Sequence, residues 1–450
     1  MVIRNATVIR LAEAAAYPNS TIRIRDGSIT SVEIPGTGGE QPGRRPGGAS
    51  GPGEPEAGEA IDAGGGYVLP GLVNLHAHTA MAPLRGAAED VAPEQWFNDH
   101  IWIYEQNITP DEVYWGTTLG ALEMLCAGVT AVADHYFHMD RAFAAYVDSG
   151  MRANLAQAVF GVGESPDRRL DEAVAFTREH HRSHPRISVS LGPHSPYLCP
   201  DRFLRRTVEE AGRLEVPVHI HVSETARQVE QSKAERGKTP VEVLRDTGVL
   251  NTGAILAHAY HAEDGDLKLI ADSGASVAHC PKTFMKFGDA SDLLPRALKA
   301  GVRVGLGTDG AASNSTMNVF EVARDAALLA KIATGDPTVA PLRQVLPLLT
   351  AGGDALGLPN YGEVVAGAPA DLVVVSPDNA AMQPALSPAA DLLYSLNDRA
   401  VRFVIVDGQV VVRDGRHAWI DREEVFARNR EMVRRVVRRT SDTPMQRFEG

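Results

Sequence analysis

From residue 68 to residue 309 the chain alternates short apolar, β-type runs with helix-like stretches, and it does so eight times. The runs are residues 68–75, 128–134, 153–161, 187–193, 216–221, 254–258, 275–279 and 302–309. Helical patterning fills stretches between them, such as 110–127, 170–184, 200–214 and 262–273. Parallel strands need a crossover between them, usually a helix. Eight such units therefore predict an α/β fold of the (β/α)8 (TIM) barrel type. In that architecture the functional side chains gather at the carboxyl ends of the strands. Here those ends carry His76 and His78, Asp134 and His135, His194, His221, His258, His279 and Asp309.

The flanks read differently. Residues 2–10 and 20–34 are β-type, with Asp26-Gly27 as a hairpin turn, and 362–375 and 401–413 match them in style, with Asp407-Gly408 as a second tight turn. The simplest arrangement joins both chain ends in one small β-sandwich beside the barrel. That divides the chain into residues 1–67, 68–357 and 358–450, the last closing on a basic, helix-like segment at 421–442. Residues 35–59, mostly Gly, Pro and Glu, have almost nothing to bury and read as a disordered excursion.

Composition bounds the partners. With 44% hydrophobic and 22% charged residues the chain has an ordinary globular make-up. A formal net charge of −13 argues against nucleic acid, whose phosphates need Lys and Arg to neutralise them. No apolar run reaches membrane-spanning length, and the first residues lack the pattern of a secretory signal. Three cysteines, Cys126, Cys199 and Cys280, with no C-x-x-C, fit a reduced, cytoplasmic protein without a thiolate zinc site.

The chemistry starts at His76-Ala77-His78. Side chains at i and i+2 of a strand share a face, so both imidazoles are expected to enter one cavity as half of a divalent-metal site. HIHVSET adds His221 at a strand end and Glu224 three residues later, with His219 one layer deeper as an interior histidine. LAHAYH brings His258 and TDGAASN brings Asp309, with Asn314 as an expected N-cap of the helix that follows. Three imidazoles and one carboxylate, with room left for water, are the ligand set of a catalytic zinc site rather than a closed structural one. Asp309 is then also the acceptor of the water's proton, Glu224 the acid/base, and His258 the group that polarises the nucleophile or steadies developing charge.

With PGLVNLHAHTAMAPLRG, GPHSPYLCP, HVSET and LGTDGAASNSTMNVF in view, the chain resembles the amidohydrolase superfamily over nearly its whole length. Within it the chain resembles the ATZ/TRZ group of deaminases and chlorohydrolases, and most of all the 5-methylthioadenosine/S-adenosylhomocysteine deaminases. The resemblance implies one divalent ion per subunit, Zn²⁺ ahead of Fe²⁺ or Mn²⁺, on His76, His78, His221 and Asp309. Relatives that bridge two metals use a lysine on the fourth strand, and ISVSLGPH has none. It also implies hydrolytic deamination of a 6-aminopurine nucleoside (adenosine, 5′-deoxyadenosine, methylthioadenosine or S-adenosylhomocysteine), with Glu105 of IWIYEQ on the ribose hydroxyls and His194 lining the pocket. Small-molecule substrate and water would be its partners, with no nucleic acid or membrane, and a homodimer or larger assembly would be its state.

Three positions depart from that pattern. Gln157 stands where one carboxylate-binding arginine is expected, with Arg169 as the other, which weighs against S-adenosylhomocysteine. Phe284 replaces a polar residue after the seventh strand and is expected either to reshape the pocket wall or simply to pack. Two rival readings stay open: a hydrolase of another aminated or chlorinated heterocycle (s-triazine, guanine, pterin or a cytosine-like base), and a non-catalytic scaffold on the same fold.

Overall fold

The computed structural model describes residues 1–36 and 59–439. The excursion expected at 35–59 therefore falls almost wholly outside the described residues. The chain begins with β1 (Val2–Arg10), β2 (Ala15–Arg25), β3 (Ser28–Glu33), β4 (Ala60–Asp62) and β5 (Tyr67–Pro70). Asp26 and Gly27 both take positive φ, 50° and 72°, the two-residue hairpin turn expected between β2 and β3. The apolar run at 68–75 then splits. Its first part, β5, pairs with β1, and its second part opens a different sheet as β6 (Leu72–His78). Gly71 sits at the crossing, where a Cβ would meet Thr130 Oγ1 at 2.0 Å, so any side chain there would force the two sheets apart.

Seven further strands follow: β7 (Val129–Tyr136), β8 (Arg152–Val159), β9 (Ile187–Pro193), β10 (His219–Val222), β11 (Ile255–His258), β12 (Ser276–His279) and β13 (Arg303–Leu306). The two-residue β14 (Asp309–Gly310) comes after them. All pair in parallel. One sheet runs β14-β6-β7-β8-β9 and the other β10-β11-β12-β13, with a single parallel bridge, Leu191 to Val218, between them. β14 returns to β6, with Asp309 opposite Ala77. Helices such as Pro110–Cys126, Pro166–His180, Asp201–Leu214 and Asp264–Ser273 separate the strands.

Val73 and Leu75 of β6 pack with Ala131, Ala133, Ile255, Ala278 and Leu356 in a buried cluster. Unbroken two-residue alternation would put Ala77, not the two histidines, on that face. The register of β6 against β7 slips between Asn74 and Ala77. Ala77 consequently joins the outer core, and His76 and His78 turn inward.

The chain ends meet as expected. β15 (Leu372–Val375) pairs with β5 on one side and with β16 (Val401–Val406) on the other, and β17 (Gln409–Arg413) and β18 (Arg416–His417) extend the same nine-stranded sheet. Asp407 and Gly408, at φ 53° and 75°, make the second predicted turn. The β-type reading of 362–375 is corrected to its last four residues. Gly362 and Gly367 take φ of 100° and 88°, and this breaks the strand before Leu372. The basic tail is the helix Arg422–Arg439, which buries Val425, Asn429, Met432 and Val436 and donates from Asn429 Nδ2 to the Trp115 carbonyl at 3.0 Å. Among the described residues no helix is long and apolar enough to cross a membrane.

Candidate active site

Two triads of donor atoms, His76–His78–His221 and His76–His258–Asp309, lie within 4.8 Å of one another, and they share His76. His76 Nε2 is 3.5 Å from Asp309 Oδ1, His78 Nε2 is 3.3 Å from the same oxygen, and His221 Nε2 is 3.2 Å from His78 Nε2. Donors about 2.0–2.1 Å from one tetrahedral ion stand roughly 3.4 Å apart. The spacing is that of a ligand shell.

The outer contacts point the same nitrogens inward. His78 Nδ1 donates to the His135 carbonyl at 2.5 Å and His221 Nδ1 to the His194 carbonyl at 2.8 Å, leaving each Nε2 a lone pair. His76 Nδ1 lies 2.9 Å from His219 Nε2, while His76 Nε2 is buried with no hydrogen-bond partner among the described residues. A buried polar atom without a partner is costly. A divalent cation at this point satisfies it, so the donor set fits such an ion. Burial and neighbouring imidazoles hold His76 and His219 well below the usual histidine range and bring His221 down to about 4, which keeps these three rings neutral.

Asp309 opens β14 at φ 59°, in the left-handed region. Thr283 Oγ1 and Ser313 Oγ donate to its Oδ2 at 3.0 and 2.7 Å, so Oδ1 is the oxygen that faces the histidines. Burial alone would raise this carboxyl, but His76, His258 and His78 hold it well below the usual carboxylate range. His258 also has positive φ, 73°, and its buried Nδ1 lacks a partner among the described residues. Its ring stacks on His221, with centroids 5.5 Å apart.

A cavity of about 120 Å³ opens over these donors, lined on one side by Glu224, His258, Asp309, His221 and His194 and on the other by Glu105, Tyr136, Trp96, Trp102 and Phe160. Glu224 follows Ser223, another residue of positive φ, and accepts a hydrogen bond from the Tyr197 hydroxyl at Oε1. Burial pushes the Glu105 carboxyl up to about 7, against a hydrogen bond to Tyr136 and the nearby His78. His194 stacks on His221 at 4.7 Å.

Other expected positions fall elsewhere. Gln157 does not line the cavity; its Oε1 accepts from the Met139 N–H at 3.0 Å and so holds the start of the helix Met139–Ser149. Arg169 is also outside the lining, in the helix Pro166–His180. Phe284 packs instead of forming a wall: it stacks on Tyr260 at 3.9 Å and meets the His258 ring edge-on at 5.3 Å. Asn314 is no N-cap. It closes the one-turn helix Ala311–Asn314, and Asn318 caps the helix Val319–Thr334 through the Phe320 and Glu321 N–H groups.

Sequence reasoning missed Thr283, Ser313, Tyr136 and Tyr197. Ser313 had a signal, since it lies four residues past Asp309 at the start of a helical turn. The others are distant in sequence from the groups they serve.

Comparison with known proteins follows this geometry. A relative from Desulforudis audaxviator, named a 5-methylthioadenosine/S-adenosylhomocysteine deaminase, is 43% identical over 86% of this chain and 90% of its own length. Another of the same name, from Pelotomaculum thermopropionicum, is 38% identical over 98% of this chain and 99% of its own. Among solved structures, an adenosine deaminase from Xanthomonas campestris with bound zinc superposes with a TM-score of 0.88 at 29% identity, over 97% of this chain and 98% of that one. The model of the Amidohydrolase family matches residues 67–411, from β5 into β17, and this chain belongs to that family.

Proposed function

We propose that this chain is a metal-dependent hydrolytic deaminase of a 6-aminopurine nucleoside. One observation carries the reading: Glu224 and Glu105, two carboxyls of different character, line the same cavity as the donor cluster of His78, His221 and Asp309. The relatives' names and the zinc of the Xanthomonas campestris structure supply the substrate class and the ion.

In this reading His76, His78, His221 and Asp309 hold one zinc ion per subunit, and β9 (Ile187–Pro193) brings no lysine for a second. A divalent ion in such a site makes water a competent nucleophile near neutral pH. The chain's own groups do the rest. Asp309, held ionised, accepts the proton of the attacking water through Oδ1. Glu224 shuttles the other protons. It delivers one to the purine ring nitrogen beside the carbon under attack and takes one from the added hydroxyl as the carbonyl forms. It hands that one to the departing ammonia and is reprotonated with the proton held by Asp309. His258 donates to the oxygen as negative charge gathers on it. Glu105 accepts from the ribose hydroxyls, with the Tyr136 hydroxyl beside it, and His194 and the Trp96–Trp102 wall enclose the base.

The architecture belongs to the same proposal. The return of β14 to β6 and the bridge at Leu191 support closure of the eight strands into a barrel over residues 68–357. Residues 1–67 and 358–450 form the two halves of a β-sandwich around the shared sheet. The active protein is a cytoplasmic homodimer or larger assembly that works on a small molecule and water, without nucleic acid or membrane.

The test is ammonia release from zinc-replete protein given adenosine, 5′-deoxyadenosine, methylthioadenosine, S-adenosylhomocysteine, guanine and an aminated s-triazine. Turnover confined to the adenosine derivatives is expected. Turnover of guanine or the triazine alone would overturn the nucleoside assignment and keep the hydrolase.

A further inference from the structure

The loop Ser195–Cys199 has no place in the mechanism above, yet it is tied down at four points. The Gly161 N–H donates to the Leu198 carbonyl at 3.0 Å, and Arg236 donates to the Pro196 carbonyl at 2.9 Å. Ser195 Oγ accepts the Leu198 N–H at 3.2 Å, and the buried Cys199 thiol reaches the Val159 carbonyl at 3.7 Å. Gly161 permits this closeness, because a Cβ there would meet Cys199 Cα at 2.9 Å. What the anchored loop presents is the Tyr197 hydroxyl, which donates to Glu224 Oε1.

Glu224 is held from its other side as well. Gln228 Oε1 accepts the N–H groups of Glu224 and Thr225, both at 3.1 Å, so the backbone that carries the carboxylate is fixed by the first turn of the helix Ala226–Arg236. The Gln228 side chain also lies close to the Tyr197 hydroxyl. A single side chain thus fixes the carboxylate's backbone and flanks the donor that meets its oxygen. An ionised carboxylate only accepts hydrogen bonds, and each bond it takes fixes one of its oxygens in direction. With Oε1 occupied by Tyr197, Oε2 is the oxygen free to face the substrate.

We infer that Tyr197, steadied by Gln228 and its anchored loop, is the positioning residue that orients Glu224 for proton transfer. It acts through Glu224 and needs no contact with substrate. The inference rests on the proposed role of Glu224 but on no particular ring, so it holds for any heterocycle the enzyme turns over.

Tyr197→Phe in the zinc-replete full chain is expected to lower kcat about 10–100-fold, the loss of one hydrogen bond to a charged group, with KM and bound zinc unchanged. Glu224→Gln and the double variant complete a cycle. Because Tyr197 works through the Glu224 carboxyl, its removal should cost little once Glu224 is already Gln. An equal loss in both backgrounds, a fall in bound zinc, or a Tyr197→Phe enzyme with wild-type kcat would each overturn the inference. If the Phe variant does not fold, fluorotyrosine at position 197 keeps the hydroxyl in place and makes it a stronger donor; a kcat indifferent to fluorine number then overturns it. The wild-type substrate panel tests the deaminase reading separately, so the two can fail independently.

Discussion

The two ends of the parallel strands carry polar clusters of opposite kinds. At the carboxyl end His76 Nε2 and His258 Nδ1 are buried without partners among the described residues. At the amino end Arg152 donates from Nε and Nη2 to the two oxygens of Asp371, at 2.8 and 3.0 Å, and also to Asp407 at 3.1 Å. Tyr361 and the Asp407 N–H donate to Asp371 as well, at 3.3 and 2.8 Å. This second cluster joins β8 to the sheet built from both chain ends. Arg152 and Asp371 are buried as the upper donors are, so the difference is not one of solvent. Satisfied groups hold a structure together, whereas unsatisfied ones mark where something else must bind. Parallel β/α folds keep their chemistry at the carboxyl ends of the strands, and the bookkeeping of hydrogen bonds tells the ends apart without any functional assumption.

The contrast breaks most visibly if the upper cluster proves self-sufficient. Removing the ion with a chelator should abolish ammonia release, and added zinc should restore it; Asp309→Ala should lose both bound zinc and turnover. Full activity after metal removal would mean that the orphaned nitrogens serve packing alone. Glu224→Gln is expected to keep its zinc and lose about 10²–10⁴-fold in kcat, the range for a positioned acid/base. Loss of zinc in that variant would make Glu224 a ligand and redraw the shell.

The lower cluster should answer in stability, not rate. Arg152→Ala leaves Asp371 buried with its charge unopposed by the guanidinium, and removal of one partner of such a pair costs about 3–5 kcal/mol. A fall of that size in urea-unfolding free energy, with kcat per folded molecule unchanged, is the expected outcome. A kcat effect would mean that the two ends are coupled.

How far the residues alone reveal these clusters differs in the same way. The upper one is written in short motifs, because each candidate ligand stands near a strand end, and a strand end is visible as an apolar run stopping at a polar residue. Hence His76, His78, His221 and Asp309 were legible before any coordinates. The slip that turns His76 and His78 inward was not, because a register shift depends on the neighbouring strand. Gln157 misled for a related reason: a polar residue near a strand end looks the same whether it faces a pocket or holds a helix, as this one holds Met139. The Arg152–Asp371–Asp407 set was invisible, since Arg152 lies 219 and 255 residues from its two partners and the Asp407-Gly408 motif declares a turn, not an ion pair. The nine-stranded sheet was legible in its turns, where Asp-Gly pairs declare a positive φ, and illegible across 362–371, where glycines interrupt an apolar pattern.

A smaller effect sharpens the account of Asp309. Thr283 and Ser313 both donate to Oδ2 and thereby turn Oδ1 to the histidines. Groups in this outer position typically alter metal affinity by 10–100-fold. Because two donors share the task, Thr283→Val should sit near the lower figure, read as weaker zinc retention in competition with a chelator. Unchanged retention would mean that the histidines alone orient the carboxylate.

The smallest expected effect concerns a histidine that belongs to neither cluster. His279 ends β12 fully buried, its Nδ1 without a partner among the described residues, and burial followed by the field of His258 brings its pKa down to about 3. Folded protein therefore keeps this ring neutral at pH values where the unfolded chain, with an ordinary histidine near 6.5, already binds a proton. Between about pH 6.5 and pH 3 the unfolded state holds more protons at this site, so stability rises with pH across that window and is complete above it. Between pH 7 and pH 6 one such group should cost about 0.7 kcal/mol. His279→Gln removes the titration, so its unfolding free energy should lose about that much less than the wild type over the same step. An identical pH slope in the two proteins would show that His279 is already charged in the folded state, and that an acceptor for its proton lies in the strand-end layer.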